Sequence, residues 1–162
     1  MNKCLIYQDE NNFCRIVIPK HNFMCAFEDE ENAVARFAER AIPDVVEFLS
    51  CLISMIPDDI TFRDAWVKGD ASCPIKIDFV KALQIHRDRL QESASIKITH
   101  LEIELQQAIK EQHLPRQIAL RKTIEILSSI HLMNLTHCKS VEDIKQSVPK
   151  ELKEVWSFYE IN

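Results

Sequence analysis

Hydrophobic positions in the second half of the chain recur every three or four residues over two long stretches. The first begins near Ile77 and the second follows Pro115, where His113-Leu114-Pro115 is short enough for an antiparallel return. We therefore predict a helical hairpin, with Ser93-Ala94-Ser95 as a weak point at which its first helix could bend. The first predicted stripe is Phe79, Val80, Leu83, His86, Leu90, Ile98, Leu101, Leu105 and Ile109, and the opposing stripe is Ile118, Leu120, Ile124, Leu127 and Ile130.

The first 57 residues show shorter apolar runs, separated by polar turns and by prolines. Cys4–Tyr7 and Phe13–Ile18 flank a cluster rich in Asn and Asp, which predicts a β-hairpin that ends at Pro19. Glu30–Ile42 has a helical period with acidic residues at its start. Val45–Ile56 has no clear period, and we predict a third strand with a short helix as the alternative. A β-β-α-β module follows from these elements.

A block of aromatic and charged residues, Thr61–Trp66, joins the two parts of the chain. Phe62 and Trp66 are four residues apart, so on one helical turn both would face the core and the charged pair between them would face water. We predict that Trp66 anchors the N-terminal module onto the helices. Lys68–Pro74 contains the chain's single glycine and is a predicted hinge or exposed loop.

Two short helices are predicted after the hairpin. Ser140 is followed three residues later by Asp143, which resembles a capping box and begins the first of them. The second starts at Val148, because Pro149 fits a first helical turn. Its predicted buried face is Leu152, Val155, Trp156 and Tyr159.

Length and composition favour a mostly helical α+β protein and exclude several classes of site. The 162 residues fit an N-terminal module at 1–67, followed by a hairpin with C-terminal helices at 75–162. Phosphate loops, dinucleotide fingerprints and nucleophile elbows need several glycines, and this chain has only Gly69. A net charge of −5 makes nucleic acid an unexpected partner. No apolar run is long enough to span a bilayer, so we expect no membrane association.

Six cysteines and several histidines raise the question of a disulfide framework or a metal site. The cysteines form no CxxC pair and no signal peptide precedes them, which predicts reduced, partly buried thiols in a cytosolic protein. His131, His137 and Cys138 have the character of metal ligands but lack a second pair at zinc-finger spacing. We therefore expect neither a metal nor a cofactor.

The chain carries no catalytic signature, so its candidate residues are contact residues. His86-Arg87-Asp88 matches the letters of a kinase catalytic loop but lies inside a helical period, without a glycine-rich loop. His86 with the two neighbouring arginines could bind an anion, but exposed helix positions are the default explanation for them. We expect Trp156 to pack onto the hairpin, whereas a solvent-facing Trp156 would indicate a partner-binding hot spot. The candidate interaction or anchor residues are Arg63, Trp66, Arg87, Arg89 and Trp156.

Several blocks of the sequence resemble a family of small bacteriophage and prophage proteins. The blocks are Cys4–Tyr7, Ile16–Pro19, Ile56–Pro57, Thr61–Trp66, Ile85–Leu90 and Glu151–Trp156. The resemblance spans nearly the whole length, and the chain departs from it at Val45–Ile56, which is more apolar than the usual polar strand. The family carries no established catalytic residues. The resemblance implies a role in the phage particle, its assembly or host takeover, in the host bacterial cytoplasm or the virion.

Three functions compete on this basis. The first is a non-enzymatic phage or prophage protein, a minor virion component or assembly factor, that binds a phage structural protein through one face of the hairpin and could form homo-oligomers. The second is an inhibitor of a host defence protein that binds through an acidic surface at Glu28–Glu31, a run also explained as a solvated helix start. The third is an enzyme that uses scattered His and Asp residues, for which no nucleophile, base and orienting group are evident.

Overall fold

The computed structural model describes residues 3–43 and 46–158. It divides into two compact units, Met1–Asp78 and Phe79–Asn162. Among the described residues, the first unit contains all the strands and the second contains the long helices, which confirms the predicted α+β class. Residues 75–77, which the sequence placed with the helices, form a strand of the first unit.

A three-stranded antiparallel sheet forms the centre of the first unit. Its strands are β1 (Lys3–Gln8), β2 (Cys14–Val17) and β3 (Phe48–Leu52). β1 lies in the middle, paired with β2 on one side and with β3 on the other. The predicted hairpin and the predicted third strand are both confirmed, and residue 45 of the third predicted run lies outside the described residues. A 3₁₀ turn at Ile53–Met55 follows β3.

The turn between β1 and β2 depends on Asp9. Its carboxylate accepts hydrogen bonds from the backbone N–H groups of Asn11 and Phe13 at 3.0 and 2.9 Å, and it pairs with Arg15 at 2.6 Å. Asn12 adopts a φ of 61°, a conformation that asparagine tolerates better than most residues. These contacts explain why the polar cluster reverses the chain without a glycine.

Two helices cover one side of this sheet. The short helix α1 (His21–Met24) was not predicted, whereas α2 (Glu30–Ala41) was. Asp29 caps α2 by accepting from the backbone N–H groups of Glu31 and Asn32. The apolar cluster on this side consists of Leu5, Met24, Ala33, Val34, Ala38 and Ile42.

A second, two-stranded sheet covers the other side. A 3₁₀ turn at Arg63–Ala65 leads into β4 (Trp66–Lys68), which pairs with β5 (Ile75–Ile77). The predicted helical turn over 61–66 is therefore only a 3₁₀ turn, and Trp66 begins a strand because its backbone pairs with Ile77. Trp66 lies in the core of the first unit, and its anchoring of the helices stays a prediction. The cluster around it is Cys4, Ile6, Cys51 and Ile75.

The second unit is built on a helical hairpin, as predicted. α3 (Phe79–Lys110) runs uninterrupted through Ser93–Ser95, where both Ser93 and Ala94 are buried. α4 (Leu114–Ser128) begins after His113, whose Nδ1 accepts a hydrogen bond from the backbone N–H of Arg116 at 3.2 Å. The hairpin core, together with the C-terminal segment packed on it, is Leu90, Ala94, Leu101, Ala108, Leu120, Leu127, Val148, Leu152 and Trp156.

Three members of the predicted stripes face solvent instead of the core. Val80 is 75% exposed, Ile109 40% and Ile118 61%, so their predicted burial was wrong. Side chains two residues apart on a helix point about 200° apart, so Ile118 cannot face the core beside buried Leu120. The same argument separates Val80 from fully buried Ala82. Small residues occupy part of the buried side of α3, whereas the predicted stripes contained only large side chains.

The C-terminal segment is less regular than predicted. A 3₁₀ turn at Ile130–Leu132 precedes α5 (Val141–Gln146), which has the predicted capping box between Ser140 and Asp143. Residues 150–155 form turns with hydrogen bonds between residues three apart, and no helix follows α5 among residues 147–158. Leu152 and Trp156 are buried as predicted, and Tyr159 lies outside the described residues.

The loop between β4 and β5 leads to a test of the fold. A Cβ at Gly69 would lie 1.9 Å from the backbone oxygen of Cys73, so a side chain there requires the loop to open. We expect Gly69→Ala to lower the free energy of local unfolding of β4 and β5 by about 1–3 kcal/mol, the usual cost of backbone strain. Hydrogen exchange of residues 66–77 measures this quantity. The control is Ala71→Ser, at an exposed position of the same loop, which should change this free energy by less than about 0.5 kcal/mol. Equal exchange in the two variants would contradict the clash.

Candidate functional site

The predicted anion-binding group on α3 is instead a buried polar cluster. His86 has no exposed surface, and its Nε2 lies 2.9 Å from Oγ of Ser147. Its ring meets Trp156 edge to face, at 5.7 Å between centroids. A side chain enclosed in this way cannot contact a dissolved anion. The predicted place of His86 in the buried stripe of α3 is therefore confirmed, whereas the anion-binding alternative and the exposed helix position are both wrong for this residue.

The two neighbouring arginines have separate environments. Arg87 is exposed on α3. Arg89 is half-buried, and its guanidinium lies 5.3 Å from the ring centroid of Phe158, a cation–π distance. Of these two arginines, Arg87 is therefore the one displayed to solvent as a candidate contact residue.

The contact between Ser147 and His86 has the distance of a nucleophile–base pair, but its hydrogen bond runs in the opposite direction. The Ser147 hydroxyl donates to the carbonyl oxygen of Ile144 at 2.7 Å. Because a hydroxyl has a single proton, we assign Nε2 of His86 as the donor to Oγ. A general base would have to accept the serine proton instead, so the pair supports packing rather than acyl transfer.

Burial also sets the charge of His86. Desolvation, with a smaller contribution from the nearby positive charge of Arg89, lowers the pKa of His86 from 6.5 to about 4. The imidazole is consequently neutral at physiological pH. It serves as an uncharged hydrogen-bonding core residue of the second unit.

The remaining predicted contact residues are not gathered into one site. Trp156 is 9% exposed and packs in the hairpin core, which confirms its packing and removes it as a solvent-facing hot spot. Trp66 is buried in the first unit, whereas Arg63 is exposed beside it on the 3₁₀ turn. The positive charge of Arg63 opposes in part the rise in the pKa of Cys14 that burial causes.

Two cysteines meet across β1 and β3. Cys4 and Cys51 are directly opposite in the register, and their Sγ atoms lie 3.5 Å apart. Burial, reinforced by the neighbouring Cys51 thiol, raises the pKa of Cys4 to about 12. A thiol that stays protonated and enclosed is a poor nucleophile, so this pair acts as core packing.

Other chemistry is sparse in the part of the chain that the structure describes. Residues 3–43 and 46–158 contain no group of three or more His, Cys, Asp or Glu side chains placed to hold a metal ion. His131 contacts the carbonyl oxygen of Ser128, and His137 contacts its neighbour Cys138. No helix of these residues has both the length and the apolar character that a membrane span requires.

Several apolar side chains on the hairpin are exposed, and the predicted buried stripes did not identify them as surface positions. Ile96 and Ile103 lie seven residues apart on α3 and are 50% and 66% exposed. Leu114 and Ile118 lie four residues apart on α4 and are 62% and 61% exposed. We call these four the outer apolar residues. Residues at these spacings share one side of a helix. The spacing can be seen in the sequence, but it was interpreted only as evidence for buried positions.

Comparisons of the chain with protein-family models, with curated protein sequences and with solved structures gave no significant match.

The buried imidazole predicts a specific loss of stability in acid. Folding favours the neutral form of His86, so its contribution is fully present above pH 6.5 and is lost as the pH falls towards about 4. The loss should be about 3 kcal/mol in the free energy of unfolding, measured by urea denaturation across this range.

The matched variants are His86→Gln and, at an exposed position of the same helix, His100→Gln. The first should flatten the pH dependence between these limits, and the second should leave it unchanged. A pH dependence that survives in His86→Gln would show that another group is responsible.

Cysteine reactivity should follow burial. Cys25 and Cys73 are exposed, whereas Cys4 and Cys51 are buried. We expect iodoacetamide to modify the exposed pair at least roughly tenfold faster, as read by peptide mass spectrometry. Labelling in denaturant, where all cysteines react, is the control. Equal rates in the native protein would mean that β1 and β3 open readily.

Proposed function

We propose that this chain is a non-enzymatic phage or prophage protein, a minor virion component or assembly factor that acts through protein–protein contacts. The observation that carries the proposal is the exposed apolar pair Ile96 and Ile103 on the outer side of α3, with a second such pair, Leu114 and Ile118, on the outer side of α4. Its context comes from the sequence blocks that resemble small phage proteins. Its location would be the host bacterial cytoplasm or the virion.

The spacing of the outer apolar residues supports a docking role. Single exposed aliphatic side chains are common on protein surfaces, so exposure alone carries little weight. Here two helices each present a pair at helical spacing, and every member is at least half exposed. Amphipathic helices bind partners through anchors at such spacings.

The hairpin is also built to hold these side chains in place. The inner sides of α3 and α4 share an apolar core, and Arg116 of α4 pairs with Glu104 of α3 at 3.2 Å. His113 caps the start of α4. A preorganised surface loses less conformational entropy on binding, which favours recognition by a folded partner.

The acidic surface proposed for a host-protein inhibitor is partly used within the fold. The carboxylate of Asp29 caps α2, and Glu30 pairs with Lys3 at 3.7 Å. The other two members of the run, Glu28 and Glu31, are both exposed. The helix-capping explanation of the run therefore weakens this alternative. Charge reversal at Glu28 and Glu31 should leave partner binding unchanged.

The docking role can be tested by affinity capture from phage-producing cells. Tagged wild-type chain should retain head or tail proteins, identified by mass spectrometry. Ile103→Glu should reduce the affinity for the retained protein roughly 30-fold or more, because a charge would be buried at an anchor position. The matched control is Leu132→Glu, which changes an equally exposed leucine outside the two helices.

The outcomes separate the two candidate functions. Equal loss in both variants would mean that α3 carries no specific contact. Recovery of one host protein without particle components, with binding that weakens in salt, would favour the inhibitor instead.

A further inference from the structure

The outer edge of β3 differs from the opposite edge of the same sheet. The strand order places β2 and β3 at the two edges. β2 carries the charge of Arg15, and Pro19 follows two residues after it, both of which discourage pairing with another chain. β3 reads Phe48-Leu49-Ser50-Cys51-Leu52, with neither a charge nor a proline. Within residues 48–52, this edge therefore lacks the charged and proline side chains that usually protect a sheet, although Glu47 directly precedes it.

Two exposed side chains of β3, Phe48 and Leu52, are large and apolar, and they share one side of the strand with the exposed Ser50. The register places Phe48 opposite Tyr7 and Ser50 opposite Leu5, on the side of the sheet that α2 covers. Phe48 is 40% exposed and Leu52 50%. α2 leaves a groove beside the strand, lined by Ala35, Ala38, Ile42 and Phe48. No described strand pairs with the outer backbone edge of residues 48–52, and an apolar surface lies beside it. Just before the strand, the carbonyl oxygen of Glu47 accepts a hydrogen bond from Nζ of Lys68 at 3.1 Å, so the edge available to an added strand begins at Phe48.

We propose that β3 pairs in antiparallel fashion with β3 of a second copy of this chain, about a two-fold axis at Ser50. The two three-stranded sheets would join into one sheet of six strands. This interface lies in the first unit and is independent of the outer apolar residues of the hairpin.

The sequence of β3 is complementary to itself in this register. Phe48 would lie opposite Leu52 of the second copy, and Leu52 opposite Phe48, so one operation covers both exposed apolar side chains. Ser50 would meet Ser50, and Leu49 would meet Cys51. Glu47, whose side chain is 95% exposed, would face Ile53 rather than another acid. No pair of like charges opposes the contact.

A second copy fits this edge better than an unrelated peptide for a specific reason. The two exposed apolar residues lie at equal distances on either side of Ser50, which is what an isologous interface requires. A strand of five residues buries a small area, so we expect dissociation on the order of micromolar concentrations.

Sedimentation of the full chain tests the pairing. Concentrations between about 1 and 200 µM bracket the expected affinity. We expect a monomer–dimer equilibrium in the wild type. Phe48→Lys and Leu52→Glu should each weaken dimerisation at least tenfold. An equimolar mixture of the two variants should recover it, because the introduced lysine would face the introduced glutamate across the axis. Ile103→Lys on the hairpin is the control and should dimerise like the wild type.

Hydrogen exchange of the wild-type chain gives a test that needs no substitution. Amides of residues 48–52 should be protected more strongly at the high concentration than at the low one, whereas β2 should not change. Three results would overturn the proposal. The wild type could stay monomeric over the whole concentration range, or form a dimer that neither strand variant weakens. The mixture of the two folded variants could also fail to recover dimerisation. Circular dichroism establishes that each variant is folded.

Discussion

Burial of the apolar side of α3 is the constraint on which the second unit depends. A helix of 32 residues is about 48 Å long, whereas the 15 residues of α4 reach only about 22 Å. α4 therefore covers only part of α3. The C-terminal segment packs on the rest through Val148, Leu152 and Trp156. The apolar side of α3 is buried beyond the reach of α4 only when this irregular segment packs on it.

This arrangement also explains the buried polar cluster. His86 lies on the part of α3 that meets the C-terminal segment, where Ser147 supplies a hydrogen bond and Trp156 an aromatic edge. An uncharged imidazole with a polar partner costs far less to bury than a charged one. On the surface of the same junction, Lys97 pairs with Glu154 at 2.9 Å, and the lysine lowers the pKa of that carboxylate. Polar contacts of this kind favour one placement of a segment that has little regular structure of its own.

The two cores of the described residues enclose side chains that are often reactive at protein surfaces. The thiols of Cys4 and Cys51 and the imidazole of His86 are enclosed, and their pKa values move away from reactive charge states. Apolar side chains are exposed in both units: the outer apolar residues of the hairpin in one, and Phe48 and Leu52 of the edge strand β3 in the other. Each surface belongs to its own unit, so each can be examined by substitutions that leave the other unchanged.

Local chemistry by itself determined the β1–β2 hairpin, α2, the helical hairpin, α5 and several of their ends, but not α1, β4 or β5. The Asn/Asp cluster after β1, the acidic start of α2, Pro115 and the Ser140–Asp143 capping box act through neighbours in sequence, so they could be recognised from it. Tertiary packing decided which side of each element is buried. Ile118 and Leu120 are equally apolar, and only the position of α3 makes one exposed and the other core. The pairing of His86 with Ser147, 61 residues away, and of Trp66 with Ile77 depends on contacts that no local spacing encodes.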